Sequence, residues 1–247
     1  MTTPITNPNF QIAIDAWLAN RPAATVTFGS IETWDTSTVT TSWVGAFANA
    51  TTPANLGLDP LDNGIADWDL TNCVSLESCF ENCVNMDIDL TNWGPYIANV
   101  TSLKKTFKFC ASFRGIGLGE AWNVSAVTDF ESTFENCDVL NVNAGGINFW
   151  DIGARVTMKR MFKDCLAWNQ PLDDWNLGLT IATSAPGVTT IEAMFEGCTA
   201  LNQVGLKFWD LPVCTNFNFC FKNCINLETH FRNWRPGSGG GSPSLTN

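Results

Sequence analysis

The sequence predicts an α/β repeat solenoid of seven repeats, with a parallel sheet on one face, short helices on the other and an N-terminal helical cap. Two observations carry this reading. An apolar residue followed four positions later by Phe, and three later again, in all but the first unit, by a Cys, recurs around Phe47, Phe80, Phe107, Phe134, Phe162, Phe195 and Phe221. A Trp marks each unit boundary (Trp34, Trp68, Trp93, Trp122, Trp150, Trp175, Trp209 and Trp234), at intervals of 25 to 34 residues. Repeats of this length bury their apolar face only against their neighbours, so the chain is one domain built as a stack.

The elements follow in order. Residues 1–30 hold a capping helix and a first strand. Over 7–20, Asn7 is the expected cap, Pro8 suits the first turn, and Phe10, Ile14, Trp17 and Leu18 share a face. Arg21-Pro22 is expected to end that helix, and the alternation of Ala24 to Phe28 reads as a strand. The solenoid proper spans 31–234. A short helix is expected just before each lead residue, because Thr128-x-x-Glu131 and Thr189-x-x-Glu192 have the form of capping boxes. Phe130, Phe134 and Cys137 then fall on one helical face at i, i+4 and i+7. An extended segment should follow, clearest at Asn85 to Leu90, where Met86, Ile88 and Leu90 alternate with Asp87 and Asp89. Two repeats carry insertions, at Thr51 to Asp67 and Gly178 to Gly187, and residues 235–247 read as a Gly/Ser-rich tail.

Ten cysteines are few enough to place one by one. Cys83, Cys110, Cys137, Cys165, Cys198 and Cys224 occupy a single repeat column, with Ala50 in the first repeat. Cys73, Cys79, Cys214 and Cys220 stand where other repeats carry Val, Thr or Met. Stacked in a core, a small apolar side chain with a weak donor is useful without oxidation, so buried free thiols are expected. Disulfides and zinc are the less favoured readings, the latter because paired CxxC and His spacings are missing.

Little else carries chemistry. The sole histidine, His230, has no equivalent in other repeats and no nucleophile motif accompanies it, so no enzyme and no cofactor are expected. Asp or Asn follows many of the boundary Trp residues (Asp35, Asp69, Asn123, Asp151, Asn176 and Asp210). These are read as turn caps rather than calcium ligands, because the glycines of calcium-binding repeats are missing. MTTPITNPNF has neither a basic start nor an apolar run, so no secretory signal is read there. No stretch is apolar enough to insert in a membrane.

The charges are patterned. Three residues before the repeat Phe stand Glu77, Lys104, Glu131, Lys159, Glu192 and Asn218; one residue after it stand Glu81, Lys108, Glu135, Lys163, Glu196 and Lys222. Opposite charges should therefore face each other from repeat to repeat and fix their register. Nucleic-acid binding is not expected, since acidic repeats separate the basic ones. With Lys105 and Arg160 these columns hold 7 of 13 basic but only 6 of 24 acidic residues, so the formal charge of −11 lies on other faces. Asp59, Asp62, Asp67, Asp173 and Asp174, with the non-core aromatics Tyr96 and Phe208, are the candidate binding residues for a basic protein or a glycan. Phe109, Phe149, Phe219 and Phe231 are further aromatics outside the core columns, and one member of each of the pairs Phe149-Trp150 and Phe208-Trp209 should point outward.

The phrases FGSIETWDTSTVT (Phe28 to Thr40), VTSLKKTFKFC, VTMKRMFKDC and WNQPLDDWN resemble the BspA-type leucine-rich repeats, in the short Trp-Asp/Val-Thr/Met-Phe form of bacterial, mycoplasma, algal and viral surface proteins. The resemblance covers residues 10–234. It implies a leucine-rich-repeat-like solenoid that is non-catalytic, often surface-exposed and adhesive. The expectation drawn from it is a structural or attachment protein of a virus or phage particle, on the virion surface or within it. Its partner is a protein of the assembly, engaged through the C-terminal tail among other surfaces. A glycan- or protein-binding adhesin and a cytoplasmic scaffold are the alternatives.

Overall fold

The computed structural model describes residues 2–41, 43–50, 64–119, 121–141, 146–152, 156–173, 175, 187–203, 206, 209, 211 and 213–228. Helix α1 is Phe10–Ala19 and helix α2 is Arg21–Phe28. Phe10, Ala13, Ile14 and Trp17 of α1 are buried, as the apolar face requires. Phe10 lies 4.9 Å from Trp43 of the first repeat, and Gln11 Nε2 donates to the Ala46 carbonyl, so α1 covers the end of the stack.

Three expectations about this cap are corrected. Asn9, not Asn7, flanks α1, while the side-chain Oδ1 of Asn7 accepts from the backbone N–H groups of Thr40 and Thr41. Arg21-Pro22 opens a helix instead of only closing one, because Asn20 accepts from the Ala23 N–H and proline suits a first turn. Ala24 to Phe28 is therefore helical rather than extended, and the hydroxyls of Thr25 and Thr27 donate to the carbonyls of Arg21 and Ala23.

The α/β solenoid itself is overturned. Among the described residues no strand forms, no parallel sheet lies on one face, and no helix forms at a lead residue; the short 3-10 helices Ile31–Thr33, Thr91–Asn99 and Ile147–Phe149 lie instead at the boundary Trp residues. The repeats are instead chains of turns stacked in register. Only isolated parallel bridges run along the stack, Ser75–Ser102–Asp129–Thr157–Thr190–Asn216. The third repeat shows why. The N–H groups of Leu103, Lys105, Phe107 and Phe109 all leave the repeat, to carbonyls of Asp129, Glu131, Thr133 and Glu135. Those of Thr106, Lys108 and Cys110 turn back three residues, to Leu103, Lys105 and Phe107. A helix would direct every donor to i−4 within the segment. Here alternate donors go to the neighbour, and the segment is a run of overlapping three-residue-separated turns.

The dihedrals agree. Lys105 and Phe109 have φ of +55° and +61°, and the same two columns are left-handed in the other repeats: Ser78 and Asn82, Ser132 and Asn136, Arg160 and Asp164, Ala193 and Gly197, Phe219 and Asn223. A positive φ at the third residue of a turn is type II geometry, which Gly and Asn adopt most readily. The burial period is four (lead residue, then two core residues, then Cys inward; two pairs outward), close enough to 3.6 that the core face read correctly while the backbone did not.

The capping boxes fail for the same reason. The Thr128 and Thr189 hydroxyls donate to Thr101 and Val156 carbonyls of the preceding repeat. The local caps are one residue on, where Asp129 and Thr190 accept from the N–H groups of Glu131 and Glu192. Asn85 to Leu90 is likewise no strand. Met86, Ile88 and Leu90 are buried, but the segment pairs only through single bonds such as Leu90 N–H to the Ile116 carbonyl.

The core is continuous. The seven repeat Phe rings stack face to face at 5.4–5.7 Å, with interplanar angles of 3–16°. All ten cysteines are buried free thiols. In the main column each Sγ donates to the Phe carbonyl of the preceding repeat, from Cys83 to Phe47 through Cys224 to Phe195, at 2.9–3.1 Å. Five of the boundary Trp residues follow a parallel rule, from which Trp150 departs. Trp68, Trp93, Trp122, Trp175 and Trp209 send Nε1–H to the carbonyls of Ile31, Ile65, Leu90, Ile147 and Leu172.

Candidate interaction surface

The outward pairs of each turn segment build one continuous ridge. Because neighbouring repeats stack in register, residues of one column come within ion-pair reach. Lys104 meets Glu131 at 3.0 Å, Lys108 meets Glu135 at 3.2 Å, Lys159 meets Glu192 at 3.1 Å, and Lys163 meets both Asp164 and Glu196 at 3.1 Å. Lys222 reaches Glu196 from the other side at 2.9 Å. The alternating columns thus pair in part as the sequence suggested, and Glu77 and Glu81 enter none of these ion pairs. Burial pushes the Glu131 and Glu196 carboxyls up, but the hydrogen bonds and charges of Lys104, Lys222 and Lys163 outweigh it and hold both below the usual carboxylate range. Lys104 is raised by its bond to Glu131, and Lys163 is raised despite burial by Asp164 and Glu196.

Two aromatic rings stand out on this ridge. Phe109 is 39% exposed and Phe219 is 50% exposed, and each sits at a left-handed position that other repeats fill with Asn, Asp, Gly, Ser or Ala as well as Lys and Arg. The ammonium groups of Lys108 and Lys222 lie 5.1 and 5.3 Å from these rings.

The candidate binding residues are spread over other faces. Asp67 is exposed and accepts from Asn92 Nδ2, and Asn92 belongs to the 3-10 helix Thr91–Asn99 that also carries the half-exposed Tyr96. Asp67 and Tyr96 are therefore attached to the same element. Asp173 is exposed at the other inserted repeat, and nothing described brings it to them. Asp59, Asp62, Asp174 and Phe208 lie outside the described residues, as do His230, Phe231 and most of both insertions. The Phe149-Trp150 pair divides as expected, with Phe149 exposed and Trp150 buried.

Three of the six Asp or Asn residues that follow a boundary Trp cap turns, while Asn176 and Asp210 lie outside the described residues. Asp35 accepts from the Ser37 hydroxyl and N–H, which lower its pKa, and Asp69 and Asn123 accept from the N–H groups of Thr71 and Ser125. Burial raises the thiol pKa values, to about 12 for Cys73, Cys83 and Cys224 and to about 11 for Cys214. Such thiols are inert at neutral pH.

Sequence reasoning missed a polar ladder on a third column. Asp87 accepts from the Arg114 N–H and pairs with its guanidinium, Asn169 accepts from the Asn202 N–H, and Asn202 accepts from the Glu228 N–H. The signal was present four residues after the column cysteine, where Asp87, Asn141, Asn169 and Asn202 recur. It was also missed that Ser, Asn, Asp and Gly hold most positions of the two left-handed columns.

No helix among the described residues is long and apolar enough to cross a membrane. No curated protein and no solved structure matches the chain. One family model matches three overlapping stretches, residues 22–115, 75–186 and 181–238, which together take in every repeat. The chain belongs to the family described as Mycoplasma protein of unknown function, DUF285.

Proposed function

We propose that this chain is a non-catalytic structural or attachment protein, of the kind built into a virus or phage particle, that presents its stacked repeats to a protein partner. The observation that carries this reading is the construction of the stack. Its Phe, Cys and Trp columns spend their donors and apolar surface on neighbouring repeats, and what varies from repeat to repeat is the outward surface. The finer resemblance to BspA-type leucine-rich repeats favours the same class, because that form recurs in surface proteins. The acidic excess away from the ridge suits a basic protein partner. Mass spectrometry of purified particles tests the reading. Peptides of this chain at a fixed ratio to the other particle proteins are expected. Absence from the particles, with the chain recovered as a stable free protein, would sink it.

A second reading, a glycan-binding adhesin, is favoured by one observation: Tyr96 is exposed on the same 3-10 helix whose Asn92 holds Asp67, a stacking ring beside polar groups. A glycan array decides it, and no hits would remove it.

A further inference from the structure

We propose that the charged ridge is the contact face between two copies of this chain, related by a two-fold axis passing between the fourth and fifth repeats. The first ground is the order of the charges. Six repeats carry them, in rows: Glu77 and Glu81; Lys104, Lys105 and Lys108; Glu131 and Glu135; Lys159, Arg160 and Lys163; Glu192 and Glu196; Lys222. A two-fold axis perpendicular to the ridge reverses this order in the second copy. Because the number of charged rows is even and the sign alternates, reversal sets every row against its opposite. The Glu77 row faces Lys222, the Lys104 row faces Glu192 and Glu196, and Glu131 and Glu135 face the Lys159 row. Each match occurs twice by symmetry. An odd number of rows would have set like against like.

The second ground is what the pairing within one chain leaves over. Among the described residues, the ion pairs along the stack do not include Glu77, Glu81, Lys105 or Arg160. These four charges lie on the ridge, and the arrangement gives each an opposite row.

The third ground is independent of charge. Phe109 and Phe219 are the two exposed rings of this face, held at φ of +61° and +60°. A bulky side chain in that region carries strain that Asn at the same position largely avoids. Rings that are exposed, strained and seated among charged rows supply the aromatic anchors that a polar face needs for lasting contact. This inference goes beyond the assembly reading and does not depend on it.

Sedimentation velocity on the full chain at tens of micromolar tests the proposal. A dimer is expected at low salt, and it should dissociate as ionic strength rises from about 0.01 M to about 1 M, which shortens the screening length from about 30 Å to about 3 Å. Two paired variants keep residues native to equivalent positions: Lys105→Ser with Arg160→Ser, and Phe109→Asn with Phe219→Ser. Each pair is expected to weaken the dimer roughly tenfold or more. An unchanged circular dichroism spectrum would show that the repeats still fold. A monomer at every salt concentration overturns the proposal. So does a dimer indifferent to salt and to both variants, and so does a ridge that binds another protein yet never its own copy.

Discussion

The Cys137 thiol donates to the Phe107 carbonyl at 3.0 Å, and the same oxygen accepts the Cys110 backbone N–H at 3.0 Å. One carbonyl thus closes its own turn and ties down the next repeat. This explains why the phrase joins Phe and Cys: the ring stacks on the next ring while its carbonyl binds the next thiol. Replacing Cys137 with Ala removes both the sulfur and the donor at a fully buried site. A loss of about 1–3 kcal/mol is expected, with Cys137→Ser no better because its stronger dipole is desolvated, measured by urea denaturation.

Alkali should unfold the protein through these thiols. Their folded pKa values are raised by burial, so the stability they contribute is complete below the unfolded value of about 8.5 and is lost as pH climbs towards the folded values. Each thiol ionised only in the unfolded chain costs about 1.4 kcal/mol per pH unit. A steep fall in stability from about pH 8.5 upwards is expected. Denaturation midpoints that stay flat to pH 10 would contradict the burial of the column.

Core and ridge phenylalanines should behave oppositely. Phe134 is fully buried between Phe107 and Phe162 at 5.6 and 5.5 Å. Phe134→Ala should cost about 3–5 kcal/mol, enough to unfold a marginal domain. Phe109→Asn, at an exposed left-handed position, should leave the melting temperature unchanged or raised. Calorimetry of the two variants compares them directly.

Glycines test the backbone geometry. A Cβ on Gly117, at φ +88°, would lie 2.1 Å from the Thr91 nitrogen and 2.5 Å from the Leu90 carbonyl carbon. Gly117→Ala should therefore cost several kcal/mol. Gly45, at φ +66°, has nothing within 4 Å of such a Cβ, so Gly45→Ala should cost only about 1 kcal/mol. Equal effects in thermal melts would mean that the turns are placed wrongly.

Lys163→Met probes the ridge pairs. It removes the cation between Asp164 and Glu196, and a loss of about 1 kcal/mol at neutral pH is expected. Glu196 is held below its ordinary value, so its contribution is present above about pH 4.3 and is lost as pH falls through the folded value. Acid titration of stability should accordingly be shallower in the variant than in the parent, with Lys222 still holding part of the effect.

What the sequence determined by itself was composition along columns. It placed Phe80, Phe107, Cys110 and Trp93 in the core, left the cysteines unpaired, and set Lys104 against Glu131. Those follow from burial and charge, which depend on residue type and on register that the repeat enforces. What only the tertiary structure decided was the backbone. A burial period near four fits a helix as well as a run of turns, and the deciding hydrogen bonds join residues in neighbouring repeats, such as Phe107 and Thr133, beyond the reach of any local propensity. The acidic candidates show the same limit. Nothing in the chain's order announces that Asp67 is tied to the helix bearing Tyr96, because surface neighbours are set by contacts between repeats. The Phe-x-x-Cys columns needed no such information, since each repeat finds its partner in the next one along the chain.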